Sequence, residues 1–279
     1  MSIKHLTKAG IVIAEQANFS AASVEEIYGK KFISFVDDDT ARTEDVTRYH
    51  TMCDRNGIKG NFAIITNYLN GNSPLTDPAT LLQYESEGYG CLFHAWRQNS
   101  SDHNYFVPEN RDLASCYSNI VRGLRDMATH GFINYKYWIS PNGVYDKDMQ
   151  DLARFCGLKA LFSFAPADGE YEYNHINYSP RIDRFHIHRT AFSNINSNLA
   201  GIDAVKGYID NLMDSDGGWL IITTHFNEWR ELTWNTAEDD KGVIGYERFN
   251  TIAEYSVASG AEIVTIPQGF SLLEPTLAN

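Results

Sequence analysis

Three adjacent carboxylates, Asp37, Asp38 and Asp39, follow the apolar run of residues 32–36. Adjacent carboxylates repel each other, and burying them costs free energy unless a cation or a proton lies between them. At the end of a strand, neighbouring side chains point in different directions. One carboxylate can therefore hold a metal ion while its neighbour accepts a proton, although a solvated acidic turn has the same pattern.

Other polar residues with useful chemistry also follow apolar runs. His94 and His225 each end such a run, and the segment Ser-Pro-Asn-Gly at 140–143 ends another. A carboxylate with imidazoles suits Zn²⁺, and Ni²⁺ or Co²⁺ are alternatives. A carboxylate beside a metal can act as general base, and a second imidazole can protonate a leaving group. These residues are equipped for metal-assisted hydrolysis of an amide or an ester.

The elements that must position these residues alternate along the chain. Strands are predicted at 32–36, 60–66, 90–93, 135–139, 160–164, 185–188, 219–224 and 261–265. Helices are predicted at 44–56, 77–87, 112–129, 146–156, 201–214 and 245–259. This alternation indicates the α/β class and a distorted or incomplete (β/α) barrel of about seven to eight parallel strands. The C-terminal strand ends then meet at one face.

The domain division and the aromatic content follow from the same reading. We expect residues 1–30 to be an N-terminal extension packed on the barrel and residues 31–279 to be one catalytic domain. Aromatic residues make up 13% of the chain, with 16 Tyr and 5 Trp. Such rings suit carbohydrate stacking, although core packing explains most of them. Four cysteines without a CxxC pair, Cys53, Cys91, Cys116 and Cys156, are expected to be buried free thiols.

Net charge bears on the partners. Lys and Arg number 23 against 36 Asp and Glu, which gives a net charge of −13. This balance argues against nucleic acid, an anionic membrane or a strongly anionic polymer as the main partner. No signal peptide or membrane-spanning run is apparent. The location therefore stays open, as a cytoplasmic protein or as part of a larger exported or viral assembly, and so does the oligomeric state.

The segment from about residue 32 to residue 267 resembles the polysaccharide deacetylase family, the NodB-homology carbohydrate esterases, as a divergent member. The family's first motif, Thr-Phe-Asp-Asp-Gly, is matched by residues 35–39. The resemblance implies that Asp37 is the catalytic base and Asp38 a metal ligand. Asp39 stands where the family has glycine.

The second motif of the family contains two metal-binding histidines four residues apart. His94 matches the first of them, but Gln98 stands at the position of the second. Since an amide is a poor zinc ligand compared with imidazole, His103 is expected to be the third ligand, with Asp102 and Gln98 as alternatives.

The remaining motifs supply the other catalytic groups. In the third motif Pro141 and Gly143 are kept, and Ile139 replaces the arginine that orients the base in the family. The resemblance implies that the Asn142 N–H stabilises the oxyanion. Arg181 or Arg184 is expected to replace the missing arginine. The fifth motif is matched by residues 220–225, which implies that His225 is the general acid.

The predicted function is removal of acetyl groups from an N- or O-acetylated oligo- or polysaccharide. Trp96, Pro141, Trp229 and Arg181 are expected to contact the substrate, although the two tryptophans could equally anchor loops. Two alternatives stay open. One is a hydrolase that cuts a non-peptide C–N bond in a small cyclic amide, and the other is an inactive carbohydrate-binding protein.

Overall fold

The fold is known from a computed structural model, which describes residues 29–69, 76–97, 106, 108–144, 146–164, 176–177, 182–192, 201–226 and 240–273. Almost all of the expected N-terminal extension lies outside these residues. In the described residues no helix is long and apolar enough to span a membrane.

The strands of the described chain are β1 (Lys31–Asp37), β2 (Asn61–Ile65), β3 (Gly90–Ala95), β4 (Tyr137–Ile139), β5 (Ala160–Phe164), β6 (Ile176–Asn177), β7 (Ile187–Ala191), β8 (Gly218–Thr224) and β9 (Glu262–Ile263). The α-helices are α1 (Thr43–Arg55), α2 (Pro78–Ser86), α3 (Leu113–His130), α4 (Lys147–Phe155), α5 (Ile202–Asp214), α6 (Asp240–Ser259) and α7 (Ile266–Leu273). Short 3-10 turns lie at Thr66–Tyr68, Pro108–Asn110 and Pro141–Gly143.

Seven parallel strands close into a barrel, in the order β1, β2, β3, β4, β5, β7, β8 and back to β1. The closing pair is long, since β1 and β8 match from Lys31 opposite Gly218 to Asp37 opposite Thr224. The predicted (β/α) barrel is confirmed. The short strand β6 adds antiparallel to β8, and β9 adds parallel to β1.

The barrel has two hydrophobic layers, which follow from the two-residue period of its strands. One cluster fills the interior and includes Phe32 and Val36 of β1 with Trp219 and Ile221 of β8. The other lies between the strands and the helices and includes Ile33 and Phe35. Every second residue of a strand therefore points into the barrel, and this parity decides which polar residues reach the interior at the strand ends.

Capping residues fix where the helices begin and end. The carboxylates of Asp77, Asp112 and Asp146 accept hydrogen bonds from backbone N–H groups at the starts of α2, α3 and α4. Each satisfies a donor that has no partner within its helix. Gly131 ends α3 with a φ of 96° in the left-handed region, where glycine carries no steric cost. The sequence-based boundaries of these helices are confirmed within about two residues.

Helix α7 closes the N-terminal end of the barrel. Ile266, Phe270 and Leu273 belong to the interior cluster, and the ring of Phe270 meets that of Tyr137 edge-on at 5.2 Å. The acidic triplet lies at the opposite end of the barrel, where the strands end.

The cysteines agree largely with expectation, because Cys53, Cys91 and Cys116 are buried free thiols and Cys156 is a half-buried one.

Candidate active site

The acidic triplet lies at the C-terminal end of β1, and its members face different layers of the fold. Asp37 is the last residue of the strand and shares the outward parity of Ile33 and Phe35. Its Oδ1 accepts hydrogen bonds from the Phe226 N–H at 2.8 Å and the Thr224 hydroxyl at 3.2 Å. Burial raises the pKa of Asp37 well above the usual carboxyl value, and the charges of Asp38 and Asp45 raise it further.

Asp38 follows the inward parity of Val36 and is almost fully buried at the mouth of the barrel. Its Oδ2 accepts a hydrogen bond from Arg189 Nη1 at 2.6 Å and lies 4.0 Å from His225 Nε2. Its Oδ1 is buried and has no hydrogen-bond partner among the residues that the structure describes. One oxygen of this carboxylate is therefore fixed, and the other remains able to accept a proton or bind a cation.

Arg189 is a central residue of the site that the sequence reasoning missed. It lies on β7 with the inward parity of Ile187, and its side chain is fully buried. Besides Asp38, it donates to the Thr223 hydroxyl and the Ser140 carbonyl, both at 3.0 Å. Its guanidinium also lies 4.3 Å from the centre of the Phe164 ring, a cation–π contact. A buried ion pair with this many partners holds both charges in one geometry.

This buried arginine lies on a different strand from Ile139, and it is neither of the two arginines expected to replace the one missing there. Arg184 lies over the ring of Phe270 at 5.7 Å, beside the helix that closes the other end of the barrel. Arg181 lies outside the described residues. Strand β7 was predicted to end at residue 188, whereas it runs from Ile187 to Ala191. The inward parity of residue 189 was the signal that could have identified it.

His94 lies in β3 at a β-bulge, because Ile64 and Ile65 of β2 are opposite Phe93 and Ala95. A bulge re-aims the side chain of the extra residue. The Nδ1 of His94 lies 2.7 Å from the Ile139 carbonyl, and its Nε2 lies 3.2 Å from Asp39 Oδ1. Since a carbonyl only accepts, Nδ1 carries a proton, and Nε2 faces the carboxylate across a gap that a proton or a cation must bridge.

The electrostatics of His94 agree with that geometry. Burial alone would lower its pKa, but the contact with Asp39 and the nearby charge of Asp38 outweigh burial, so the pKa is raised. The local negative charge that holds a proton on this imidazole is the same charge that would attract a metal ion.

The 3-10 turn after β4 forms another part of the rim. Asn142 is exposed and has a φ of 54°, and Gly143 follows with a φ of 63°. A Cβ on Gly143 would stand 1.9 Å from the Phe164 ring, so glycine is required by both conformation and space. Because Phe164 supports the Arg189 guanidinium, this glycine lets the turn lie close to the ion pair. Pro141 is buried in the same turn.

Among the remaining predicted site residues, Trp96 lies within the part of the chain that the structure describes. The half-buried Trp96 carries the Arg122 guanidinium over its ring at 4.7 Å, and its backbone binds Asn119 and Asn67. The other predictions fall outside the described residues and concern His103, Gln98, Asp102, Trp229 and Arg181.

The described residues supply part of a metal site. Among them no three His, Cys, Asp or Glu side chains lie close enough to hold a metal by themselves. Two donors are suitably placed, because two ligands about 2.0–2.1 Å from a tetrahedral zinc are separated by about 3.3 Å. These donors are His94 Nε2 and Asp39 Oδ1, which are 3.2 Å apart. This donor set fits a divalent metal that takes its remaining ligands from other residues.

No protein-family model matches the sequence. No curated protein matches it either.

Solved structures do match the fold. A family 4 carbohydrate esterase from Streptomyces lividans, in complex with acetate, is 14% identical with a TM-score of 0.51, over 84% of this chain and 91% of that one. A family 4 acetyl xylan esterase from Clostridium thermocellum, with a cobalt ion, is 13% identical with a TM-score of 0.52, over 87% and 91%. A pseudoenzyme of the same family from Bacillus anthracis is 10% identical with a TM-score of 0.52, over 86% and 65%. At these identities the likeness shows the fold alone, and the fold of the chain resembles that of the family 4 carbohydrate esterases.

Proposed function

We propose that the protein is a metal-dependent hydrolase that removes acetyl groups from an N- or O-acetylated carbohydrate. One observation carries this proposal. Asp38, Asp39, His94 and His225 converge at the C-terminal mouth of a barrel that has the fold of family 4 carbohydrate esterases. A carboxylate and an imidazole facing each other are the general base and general acid that acyl transfer to water needs.

One carboxylate and one imidazole of the site each carry out one proton transfer in the proposed reaction. A carboxylate of the triplet takes a proton from water as the water oxygen bonds to the acetyl carbonyl carbon. His225 gives a proton to the sugar nitrogen or oxygen as its bond to that carbon breaks. The products are acetate and a free amine or hydroxyl. The Asn142 N–H is proposed to donate a hydrogen bond to the oxyanion, as expected from the sequence.

A metal ion, with Zn²⁺ favoured over Ni²⁺ or Co²⁺, would be held by His94 and a carboxylate of the triplet, and His103 stays the predicted third ligand. When bound, it would polarise the acetyl carbonyl and lower the pKa of a nearby water. Contacts of Trp96, Pro141, Trp229 and Arg181 with the sugar remain predictions.

The test is acetate release from acetylated xylan, acetylated chitooligosaccharides and peptidoglycan fragments, measured with added Zn²⁺ or Co²⁺. We expect the wild-type protein to release acetate from at least one of these. We expect His225→Gln to lower the rate by about 10²- to 10⁴-fold, the usual contribution of a positioned acid or base. Asp151→Asn is the matched control, because Asp151 is an exposed residue of α4 paired with Lys147. Absence of acetate from every substrate, or a fully active His225→Gln protein, would contradict the proposal.

A non-catalytic carbohydrate-binding protein is the second candidate. The observation that favours it is the pairing of Asp38 with the fixed positive charge of Arg189, which competes with a metal for that carboxylate. Saturable binding of the same oligosaccharides without acetate release would support this candidate.

A further inference from the structure

We propose that Asp39 is the carboxylate that binds the metal, and that Asp38, held in place by Arg189, is the general base. This division rests on the proposed function. It moves both roles one residue along the triplet from the sequence-based assignment, in which Asp37 is the base and Asp38 the ligand.

Asp37 is turned away from the interior of the barrel. Its neighbours include Phe226, whose ring packs against Tyr49 of α1 and Phe249 of α6 at 5.2 and 5.4 Å. Besides burial, the charge of Asp37 raises the pKa of Tyr49 and of Cys53, which both lie on α1. A group in the layer between strands and helices cannot reach a substrate at the barrel mouth. The hydrogen bonds that it accepts from the Thr224 hydroxyl and the Phe226 N–H instead hold the residues on both sides of His225.

Asp38 meets the geometric needs of a base better than those of a ligand. Arg189 places a permanent positive charge 2.6 Å from its Oδ2, and a metal ion beside that guanidinium would be repelled. The partnerless Oδ1 can accept a proton, while Oδ2 lies 4.0 Å from His225 Nε2. The carboxylate thus has one oxygen anchored and one available, next to the proposed acid.

Asp39 meets the needs of a ligand. Its φ of 59° lies in the left-handed region, which Asp tolerates better than most residues, and its side chain comes to His94. The 3.2 Å separation of Asp39 Oδ1 and His94 Nε2 matches that of two ligands on one tetrahedral ion. The family's glycine at this position has no side chain. In this chain the residue that departs from the motif carries a donor.

The test is titration of the metal-free full chain with Co²⁺, followed by calorimetry and by the visible absorption of the bound ion, for isosteric variants. We expect Asp39→Asn to weaken Co²⁺ binding by about 100-fold or more, since even residues behind the ligands alter affinity about 10- to 100-fold. We expect Asp38→Asn to bind Co²⁺ within about threefold of the wild type and to lose acetate release by about 10²- to 10⁴-fold. Asp151→Asn serves as the control in both assays.

The opposite pattern, with Co²⁺ affinity lost in Asp38→Asn and kept in Asp39→Asn, would overturn the proposal. A wild-type protein that binds no Co²⁺ would also overturn it. The titration needs no substrate, so its outcome is separable from the proposed function. Co²⁺ binding that depends on Asp39, in a protein that releases no acetate, would refute the function and leave the ligand assignment standing.

Arg189 is then a positioning residue, and its role has its own readout. We expect Arg189→Met to lower kcat for acetate release while Co²⁺ binding is retained. Arg189→Lys should recover part of kcat, because it restores the charge beside Asp38. If the arginine only supports the fold, both variants will lose unfolding temperature and kcat together, and lysine will give no recovery.

Discussion

His186 lies directly before β7, and His188 lies on the outward face of that strand, with the Nε2 atoms of the two imidazoles 2.6 Å apart. Only one of two facing nitrogens can carry the bridging proton, so charging the pair would set two donors against each other. Burial lowers the pKa of His186 to about 4, and the nearby His188 lowers it as well. His186 is therefore neutral at a pH where a free histidine would be half charged.

This pair predicts an acid-dependent loss of stability. The unfolded chain takes up a proton at His186 near the usual value of 6.5, whereas the folded chain takes it up only near 4. Stability should thus fall as the pH drops through this window. We expect His186→Gln to flatten the fall, as measured by urea unfolding between pH 7 and pH 4. Parallel stability curves for the variant and the wild type would contradict the prediction.

At the residue scale, much of the site could be predicted from the sequence. Asp38, His94 and His225 each follow an apolar run, and the closed barrel brings them together. Arg189 does not end an apolar run in this way. The replacement arginine was expected at residue 181 or 184, and the strand that carries Arg189 was predicted to end at residue 188. The two-residue alternation of β1 is visible in the sequence. Phe32 and Val36 face the barrel interior, and residue 38 has the same parity.

At the element scale, α7 covers the N-terminal end of the barrel. It buries Phe270 against Tyr137, and a Cβ on its Gly269 would stand 2.9 Å from the Trp219 ring. The side chain of Asn61 accepts a hydrogen bond at 2.8 Å from the N–H of Ile266, the first residue of α7. The helix thus completes an interior that the seven strands alone would leave open to water.

Removing the central ring of α7 should measure this contribution. We expect Phe270→Ala to lower the free energy of unfolding by about 3–5 kcal/mol, the usual loss for a buried phenylalanine. Ser271→Ala, at an exposed position of the same helix, should change it by less than about 0.5 kcal/mol. Urea denaturation of both proteins provides the comparison, and equal midpoints would show that the helix is not an essential closure.

The sequence did not predict α7 or β6, for physical reasons. Pro267 and Gly269 interrupt the helical pattern over residues 266–273, and the preceding residues have the composition of a strand. Strand β6 is two residues long, and its position is set by Asn177, whose side chain binds the backbone of His188 and Trp219. A contact made by one amide with two distant strands leaves no periodic signal in the local sequence.

At the scale of the whole molecule, the net charge of −13 repels an anionic substrate that approaches the protein. The repulsion is screened over about 10 Å at 0.1 M salt. If the proposed function holds, KM for an acetylated substrate that contains uronic acids should fall as NaCl rises from about 20 to 200 mM. KM for a neutral acetylated xylooligosaccharide should stay constant over the same range. Equal salt dependence for the two substrates would contradict this prediction.

The pairing of β1 with β8 also has a consequence for folding. Thr224 and Asp37 are 187 positions apart, so this contact closes a very long loop. Contacts between distant parts of a chain cost the most entropy and slow folding. Asp38 and His225 directly follow these two strands, so the proposed catalytic pair forms only when β1 and β8 are paired. A chain in which β1 and β8 have not yet paired would therefore lack this pair of residues, and their approach would report closure of the barrel.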